Sequence, residues 1–199
     1  SPTYQTRFDT LKTAVLIPTY NNASALAGVI EGVLGFTSNV IVVNDGSSDG
    51  TREVLEKFPG LRCIHFPENV GKGWALRKGF DAAVEAGYSY VITLDSDGQH
   101  AAKDLPAFLD EIEKNPDAII IGARNMQQTD VPGKSSFGHK FSNFWFRVET
   151  GIKAPDTQSG YRLYPVQRLK AMHWFTKKYE FEIEVIVRAA WKGIAINFV

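Results

Sequence analysis

Through residue 121 the chain alternates short apolar runs with segments of helical spacing. Ala14 to Ile17 reads as a buried strand and passes into the polar stretch Pro18-Thr19-Tyr20-Asn21-Asn22. Leu26, Val29, Ile30, Val33 and Leu34 then fall on one face of a helix. Asn39 to Val43, Leu61 to Phe66, Tyr90 to Leu94 and Ala118 to Ile121 read as four more strands. Between them, Val54, Leu55 and Phe58, then Leu76, Phe80, Ala83 and Val84, then Leu105, Phe108, Leu109 and Ile112 mark further helices. Strands as continuously apolar as Val40-Ile41-Val42-Val43 and Ile119-Ile120-Ile121 are buried on both sides. The rhythm predicts the α/β class, a mostly parallel central sheet with helices on both faces.

Beyond Arg124 the alternation weakens. Asn125 to Ser136 is rich in loop-forming residues, and Phe137, Phe141, Phe144, Trp145 and Val148 suggest an aromatic helix. Asp156 to Arg162 reads as another loop. Ile183, Ile186, Val187, Ala190 and Trp191 predict a last helix, and Ile194 to Val199 reads as a strand cut short. Residues 1–199 are therefore expected to be a single domain of a chain that continues.

Composition narrows the function classes. The 199 residues are 44% hydrophobic, enough for a sizeable core, and 22 basic residues balance 22 acidic ones. A formal net charge of zero argues against a nucleic-acid partner. The single cysteine, Cys63, rules out a disulfide within the chain and a cysteine-based zinc site. It fits the reducing cytoplasm. No apolar run approaches the ~20 residues of a membrane span, and the N-terminal stretch has no signal-peptide core.

The polar clusters each follow a strand. In a parallel sheet those loops share one edge, where ligands bind, so Asp45, Asn69, Asp95 and Asp97 are expected to converge there. Two carboxylates at i and i+2 in Asp95-Ser96-Asp97 suit a hard divalent cation, with Gln99 or His100 able to complete the shell. The same residues also suit a turn that caps the next helix. Asp45 fits either a capping loop or a carboxylate that accepts from a base or ribose. Gly71 and Gly73 fit either a helix start or close backbone approach with Lys72 near phosphate. No phosphate-loop signature surrounds Gly71-Lys72-Gly73, no Gly-x-Gly-x-x-Gly follows the first strand, and His100 and Pro106 break a calcium-loop pattern.

Ile17-Pro18-Thr19-Tyr20-Asn21, Val43-Asn44-Asp45-Gly46-Ser47-Ser48-Asp49-Gly50-Thr51, Asn69-Val70-Gly71-Lys72-Gly73 and Leu94-Asp95-Ser96-Asp97-Gly98-Gln99-His100 resemble glycosyltransferase family 2 in order and spacing. The likeness is nearest to its dolichyl-phosphate-mannose-synthase-like branch. The resemblance implies a Rossmann-like GT-A fold, a GDP- or UDP-sugar donor, and inverting transfer with Mg²⁺ or Mn²⁺. On the donor side it implies that Pro18, Thr19, Tyr20, Asn22, Asp45, Asn69, Gly71 and Lys72 line the pocket. Asp95, Ser96, Asp97 and Gln99 would serve the diphosphate, with Asp95, Asp97 and Gln99 holding the metal. On the acceptor side it implies Arg124, Lys140, Ser142, Ser159 and Arg162, with Asp156, Glu182 and Glu184 as further catalytic candidates. Asn22 stands where the branch often has Glu, Asn44 replaces the first Asp of Asp-Asp-Gly-Ser, and an arginine near Gly138 is missing.

A phosphate acceptor is already ionised and needs no base. A sugar-hydroxyl acceptor needs a carboxylate, for which Asp156, Glu182 and Glu184 are candidates. A polyprenyl phosphate acceptor and a glycan acceptor both remain open, the former with peripheral association at the cytoplasmic membrane face. The rival classes are a haloacid-dehalogenase-type phosphohydrolase, a nucleotidyltransferase, and a nucleotide-sugar-binding domain without turnover. The first expects its Asp-x-Asp on strand one rather than strand four. The second expects a Gly- and Arg-rich loop that Pro18 to Asn22 does not supply.

Overall fold

A computed structural model describes residues 3–99, 101–122, 150–151 and 159–199. The chain opens with α1 (Tyr4–Thr10), which its sequence hardly signals, because only Phe8 is buried. There follow β1 (Thr13–Thr19), α2 (Ala23–Leu34), β2 (Val40–Asn44), α3 (Thr51–Glu56), β3 (Arg62–His65), α4 (Lys72–Glu85) and β4 (Tyr90–Thr93). A short 3₁₀ turn (Ala102–Asp104) leads into α5 (Leu105–Lys114) and β5 (Ile119–Ile121). After residue 158 come β6 (Arg162–Tyr164), α6 (Val166–Leu169), α7 (Glu180–Trp191) and β7 (Ile196–Phe198).

The strands form one sheet in the order β3-β2-β1-β4-β6-β5-β7. β1 to β4 are mutually parallel, and β5 runs parallel to β7. β6 is antiparallel to both its neighbours, with Thr93 opposite Arg162 and Ile121 opposite Arg162 on the other side. Arg162 thus belongs to a strand rather than to the loop expected there. Its neighbours Leu163 and Tyr164 alternate faces over too few residues to register as a strand in sequence.

Strand alternation sorts the core into two layers. Leu16, Ile41, Val43, Val91, Ile119 and Ile121 face α4 and α7, through Leu76, Phe80, Phe181, Val185 and Ile186. Val15, Ile17, Val42, Ile92, Ile120 and Leu163 face the other helices, through Phe8, Leu26, Ile30, Val33, Leu55, Phe108 and Leu109. The result is a three-layer α/β/α sandwich. Leu16 and Ile17 are fully buried on opposite faces, and truncating either to alanine costs about 2–5 kcal/mol.

The chain runs outward from β1 to β2 to β3, then returns to place β4 on the other side of β1. That reversal splays the loops after β1 and β4 apart, and such a switch point is where open α/β sheets bind ligands.

Candidate active site

A cleft of about 420 Å³ opens at this switch point. Its walls are Pro18, Thr19, Tyr20 and Asn22 after β1, Asp45 after β2, Asn69, Gly71, Lys72 and Ala75 around the start of α4, Asp95, Ser96 and Asp97 after β4, and Lys178 and Tyr179 before α7. Eleven of the twelve donor-side residues expected from sequence therefore converge; Gln99 lies just beyond, exposed, its backbone N–H donating to Asp97 Oδ1 at 2.9 Å. A second cavity of about 410 Å³ lies between α4 and α6, lined by Phe80, Val84, Leu169 and Trp174 among others, away from the strand-end loops.

The loops after β1 and β2 lock each other. Asn21, held at φ 50°, accepts from the Ser48 N–H through Oδ1 at 2.9 Å and donates its own N–H to Ser47 Oγ at 3.0 Å. Asp49 accepts from the Ala23 N–H at the start of α2 and from the N–H and hydroxyl of Thr51 at the start of α3. The Thr51 hydroxyl and then the Ala23 N–H hold the Asp49 carboxyl below the usual carboxylate range. Asn22 donates from Nδ2 to Ser96 Oγ at 2.9 Å, which ties the β1 loop to the β4 loop across the cleft floor.

Asp45 is 3% exposed and its carboxylate is engaged by its neighbours. Oδ1 accepts from the Val70 N–H at 2.8 Å; Oδ2 accepts from the Gly71 N–H and Asn69 Nδ2, both at 2.9 Å. Its first task is thus to shape the 69–71 loop that delivers Lys72. The glycines of that loop also have a specific reason. Gly71 sits at φ 122°, and a Cβ on it would come 2.9 Å from the Lys177 carbonyl oxygen. A Cβ on Gly73 would meet the Lys178 carbonyl and Phe181. Close backbone approach is indeed what they permit, but the partner is the segment before α7. The Trp74 N–H donates to the Lys177 carbonyl at 2.8 Å and seals the contact.

That seam explains why Lys178 and Tyr179 reach the cleft, a placement that sequence reasoning missed. The only signal was indirect: two glycines flanking Lys72 imply a chain segment packed on them.

Lys72 projects from the first residue of α4 between two carboxylates. Its Nζ lies 2.7 Å from Asp95 Oδ1 and 3.1 Å from Glu182 Oε2. Burial works against the ammonium, but Glu182 and Asp95 outweigh it and raise the Lys72 pKa above its ordinary value, so Lys72 stays charged. Asp97 is exposed at the cleft mouth.

The acceptor-side candidates divide. Arg124, Lys140, Ser142 and Asp156 lie outside the described residues. Ser159 and Arg162 are fully buried. Arg162 donates from Nε to the Ser159 carbonyl and from Nη1 to the Glu182 carbonyl, both at 2.6 Å. The second of these bonds pins α7 to β6, and Arg162 is not among the residues that wall the cleft. Ser159 Oγ accepts from the Tyr161 N–H at 3.3 Å, inside the same turn. Glu184 also faces away from the cleft. It accepts from the N–H groups of Phe175 and Thr176, from the Thr176 hydroxyl at 2.6 Å and from Arg188 Nε at 2.8 Å. Those bonds make it a clasp for the 173–179 loop. Of the late acidic pair, only Glu182 reaches the cleft residues.

The donor set fits a divalent cation of the Mg²⁺ or Mn²⁺ type. Asp95 and Asp97 offer hard carboxylate oxygens. No group of three His, Cys, Asp or Glu side chains gathers into a closed cage among the described residues. Two carboxylates with open positions suit an ion that shares its shell with phosphate oxygens. The Lys72 ammonium on Asp95 shows that the spot already stabilises positive charge.

The family model for glycosyl transferase family 2 matches residues 14–171. This chain belongs to that family. It is a glycosyltransferase, and the GT-A architecture expected from the motifs is the one observed. It is 30% identical to polyprenol monophosphomannose synthase of Mycolicibacterium smegmatis, over 94% of this chain and 75% of that protein. It is 27% identical to undecaprenyl-phosphate mannosyltransferase of Micrococcus luteus, over 92% of this chain and 79% of the other. Among solved structures it resembles glucosyl-3-phosphoglycerate synthase of Mycobacterium tuberculosis in complex with Mn²⁺, UDP and phosphoglyceric acid. There the TM-score is 0.73 at 19% identity, covering 98% of this chain and 70% of that one, a likeness of fold.

Proposed function

We propose that this glycosyltransferase moves a hexose, with inversion, from a nucleoside-diphosphate sugar to the phosphate of a polyprenyl phosphate. The observation that carries the reading is the cleft: Asp95 and Asp97 at the end of β4 face the nucleoside-sized hollow between Tyr20, Asn22 and Asp45. The nucleoside lies against Pro18 to Asn22 and Asp45. Asp95 and Asp97, with Gln99 beside them, hold a divalent cation. When bound, that ion neutralises the charge that develops on the departing diphosphate.

The chain's own residues do the rest. Lys72 and Lys178 add fixed positive charge to the same wall. Asn22 and Ser96 hold the β1 and β4 loops at a set distance, so the donor is positioned before reaction. The acceptor phosphate attacks the anomeric carbon from the face opposite the diphosphate. It is ionised near neutral pH, so no general base is required. Glu184, engaged by the 173–179 loop, is consistent with chemistry that needs none.

The polyprenyl acceptor is supported by the two relatives named for polyprenol- and undecaprenyl-linked mannosyl transfer. It is supported too by the rim of the cleft. Phe175 and Tyr179 are 76% and 74% exposed, with Lys177 and Lys178 between them. Aromatic and basic side chains together suit the headgroup layer of an anionic membrane. No helix among the described residues is long and apolar enough to cross a membrane. The protein on this reading works at the cytoplasmic membrane face.

The test is transfer of radiolabelled mannose or glucose from the GDP- or UDP-sugar to polyprenyl phosphate in vesicles with Mn²⁺. Label in an organic-extractable, acid-labile product supports the reading and names the donor. Label transferred only to water-soluble glycans would overturn the acceptor assignment.

A further inference from the structure

Glu182 sits in the first turn of α7 and is 7% exposed. Its Oε2 is 3.1 Å from Lys72 Nζ, while its Oε1 is buried with no hydrogen-bond partner among the described residues. A buried carboxylate oxygen left unpaired is costly, and native proteins seldom keep one without a use for it. The stronger contact of the same ammonium, at 2.7 Å, is with Asp95 Oδ1.

We propose that Glu182 is a positioning residue: it takes over the Lys72 ammonium when Asp95 turns to the divalent cation. This rests on the metal-binding reading of Asp95 given above. A cation arriving at Asp95 competes with Lys72 for the carboxylate and repels its charge. Lys72 keeps only 18% of its side-chain surface exposed, so its charge relies on nearby carboxylates. Oε1 of Glu182 offers the ammonium a second acceptor within the group it already touches. Lysine suits such an exchange, being a compact charge with three donors on a flexible stem. The receiving side is rigid. Arg162 clamps the Glu182 carbonyl at 2.6 Å, and Gly73 lets the Lys177–Lys178 segment and Phe181 pack directly on α4. α7 thereby sets how readily Asp95 is released to the metal.

The test is Mn²⁺ affinity, read from the spin-resonance signal of free Mn²⁺, first with Mn²⁺ alone and then with UDP or GDP. In Glu182→Gln, Lys72 loses its charged alternative and holds Asp95 harder. Mn²⁺ binding is expected to weaken about tenfold, equivalent to ~1.4 kcal/mol of coupling. The double variant Lys72→Met/Glu182→Gln removes the competitor as well, and its affinity is expected to return to within about threefold of wild type. A single variant with wild-type affinity overturns the inference. So does a double variant no better than the single, which would make Glu182 act independently of Lys72. Should Glu182→Gln fail to fold by circular dichroism, Lys72→Met alone decides: Mn²⁺ must bind at least as tightly as to wild type, and weaker binding overturns the exchange. Wild-type protein that binds no Mn²⁺ even with nucleotide contradicts the metal site itself, and the inference falls with it.

Discussion

Gly160 presents its bare Cα to the carboxylate of Asp95. A Cβ there would overlap Oδ2 and stand 2.8 Å from Cγ. The Gly160 carbonyl accepts from the Thr93 hydroxyl at 2.7 Å, so the glycine cannot retreat without breaking a buried contact. The turn before β6 therefore fixes from behind the carboxylate proposed to hold the metal, although the two residues are far apart in sequence. Gly160→Ala is expected to push Asp95 off Lys72. Overpacking of about 1–3 kcal/mol lowers Tm by roughly 3–10 °C. Mn²⁺-dependent nucleotide binding should weaken at least about tenfold. A calorimetric scan and a binding titration check both; an unchanged affinity would mean that Asp95 is not held from this side.

Asp45 shapes the loop that carries Lys72, through bonds from Asn69, Val70 and Gly71. Asp45→Ala leaves three part-buried N–H donors unpaired and is expected to cost about 1–3 kcal/mol in urea unfolding. Nucleotide binding should fall with it. A loss below about 0.5 kcal/mol would show that the 69–71 loop holds its shape without the carboxylate.

How much of this was readable in the chain differs between its two halves. The cleft residues after β1, β2 and β4 were legible because each follows an apolar strand, and parallel topology alone brings strand ends together. Lys178 and Tyr179 were not legible, since their place depends on two glycines packing against a segment a hundred residues away. The strand that carries Arg162 was not legible either, because three residues are too few to show its period, and the burial of Arg162 follows from that strand. Glu184 and Glu182 are two apart on a helix and so point to different sides, which spacing reveals but which does not say which side is the site.

Glu184 gives a pH prediction. Burial opposes its ionisation, yet the Thr176 hydroxyl, the N–H groups of Thr176 and Phe175, and Arg188 together hold its carboxyl below the usual carboxylate range. A folded-state pKa below the unfolded one contributes stability that is full above the unfolded value and is lost as pH falls through the folded value. The 173–179 loop is expected to loosen as the pH falls below the usual carboxylate range, with a change in Trp174 fluorescence as its edge contact with Phe181 is lost. Glu184→Gln should weaken that acid transition and cost about 1–3 kcal/mol near neutral pH. Identical acid profiles for the two proteins would remove Glu184 from the account.

Phe175 and Tyr179 bracket the two lysines on the rim. Sedimentation with vesicles containing anionic lipid is expected to show binding that falls roughly tenfold in Phe175→Ala/Tyr179→Ala and falls again at high salt. Equal partitioning of both proteins would place the membrane contact elsewhere.

One titration tests the cation site most directly: calorimetric binding of UDP, GDP and their sugar conjugates with Mn²⁺, then with EDTA, to wild type and to Asp97→Asn. One nucleotide should bind in the presence of Mn²⁺ and lose at least about tenfold in EDTA, and the folded variant should bind like wild type in EDTA whether or not metal is added. Binding indifferent to metal, or an Asp97→Asn protein that keeps full metal dependence, would contradict the assignment of Asp95 and Asp97 as the cation site.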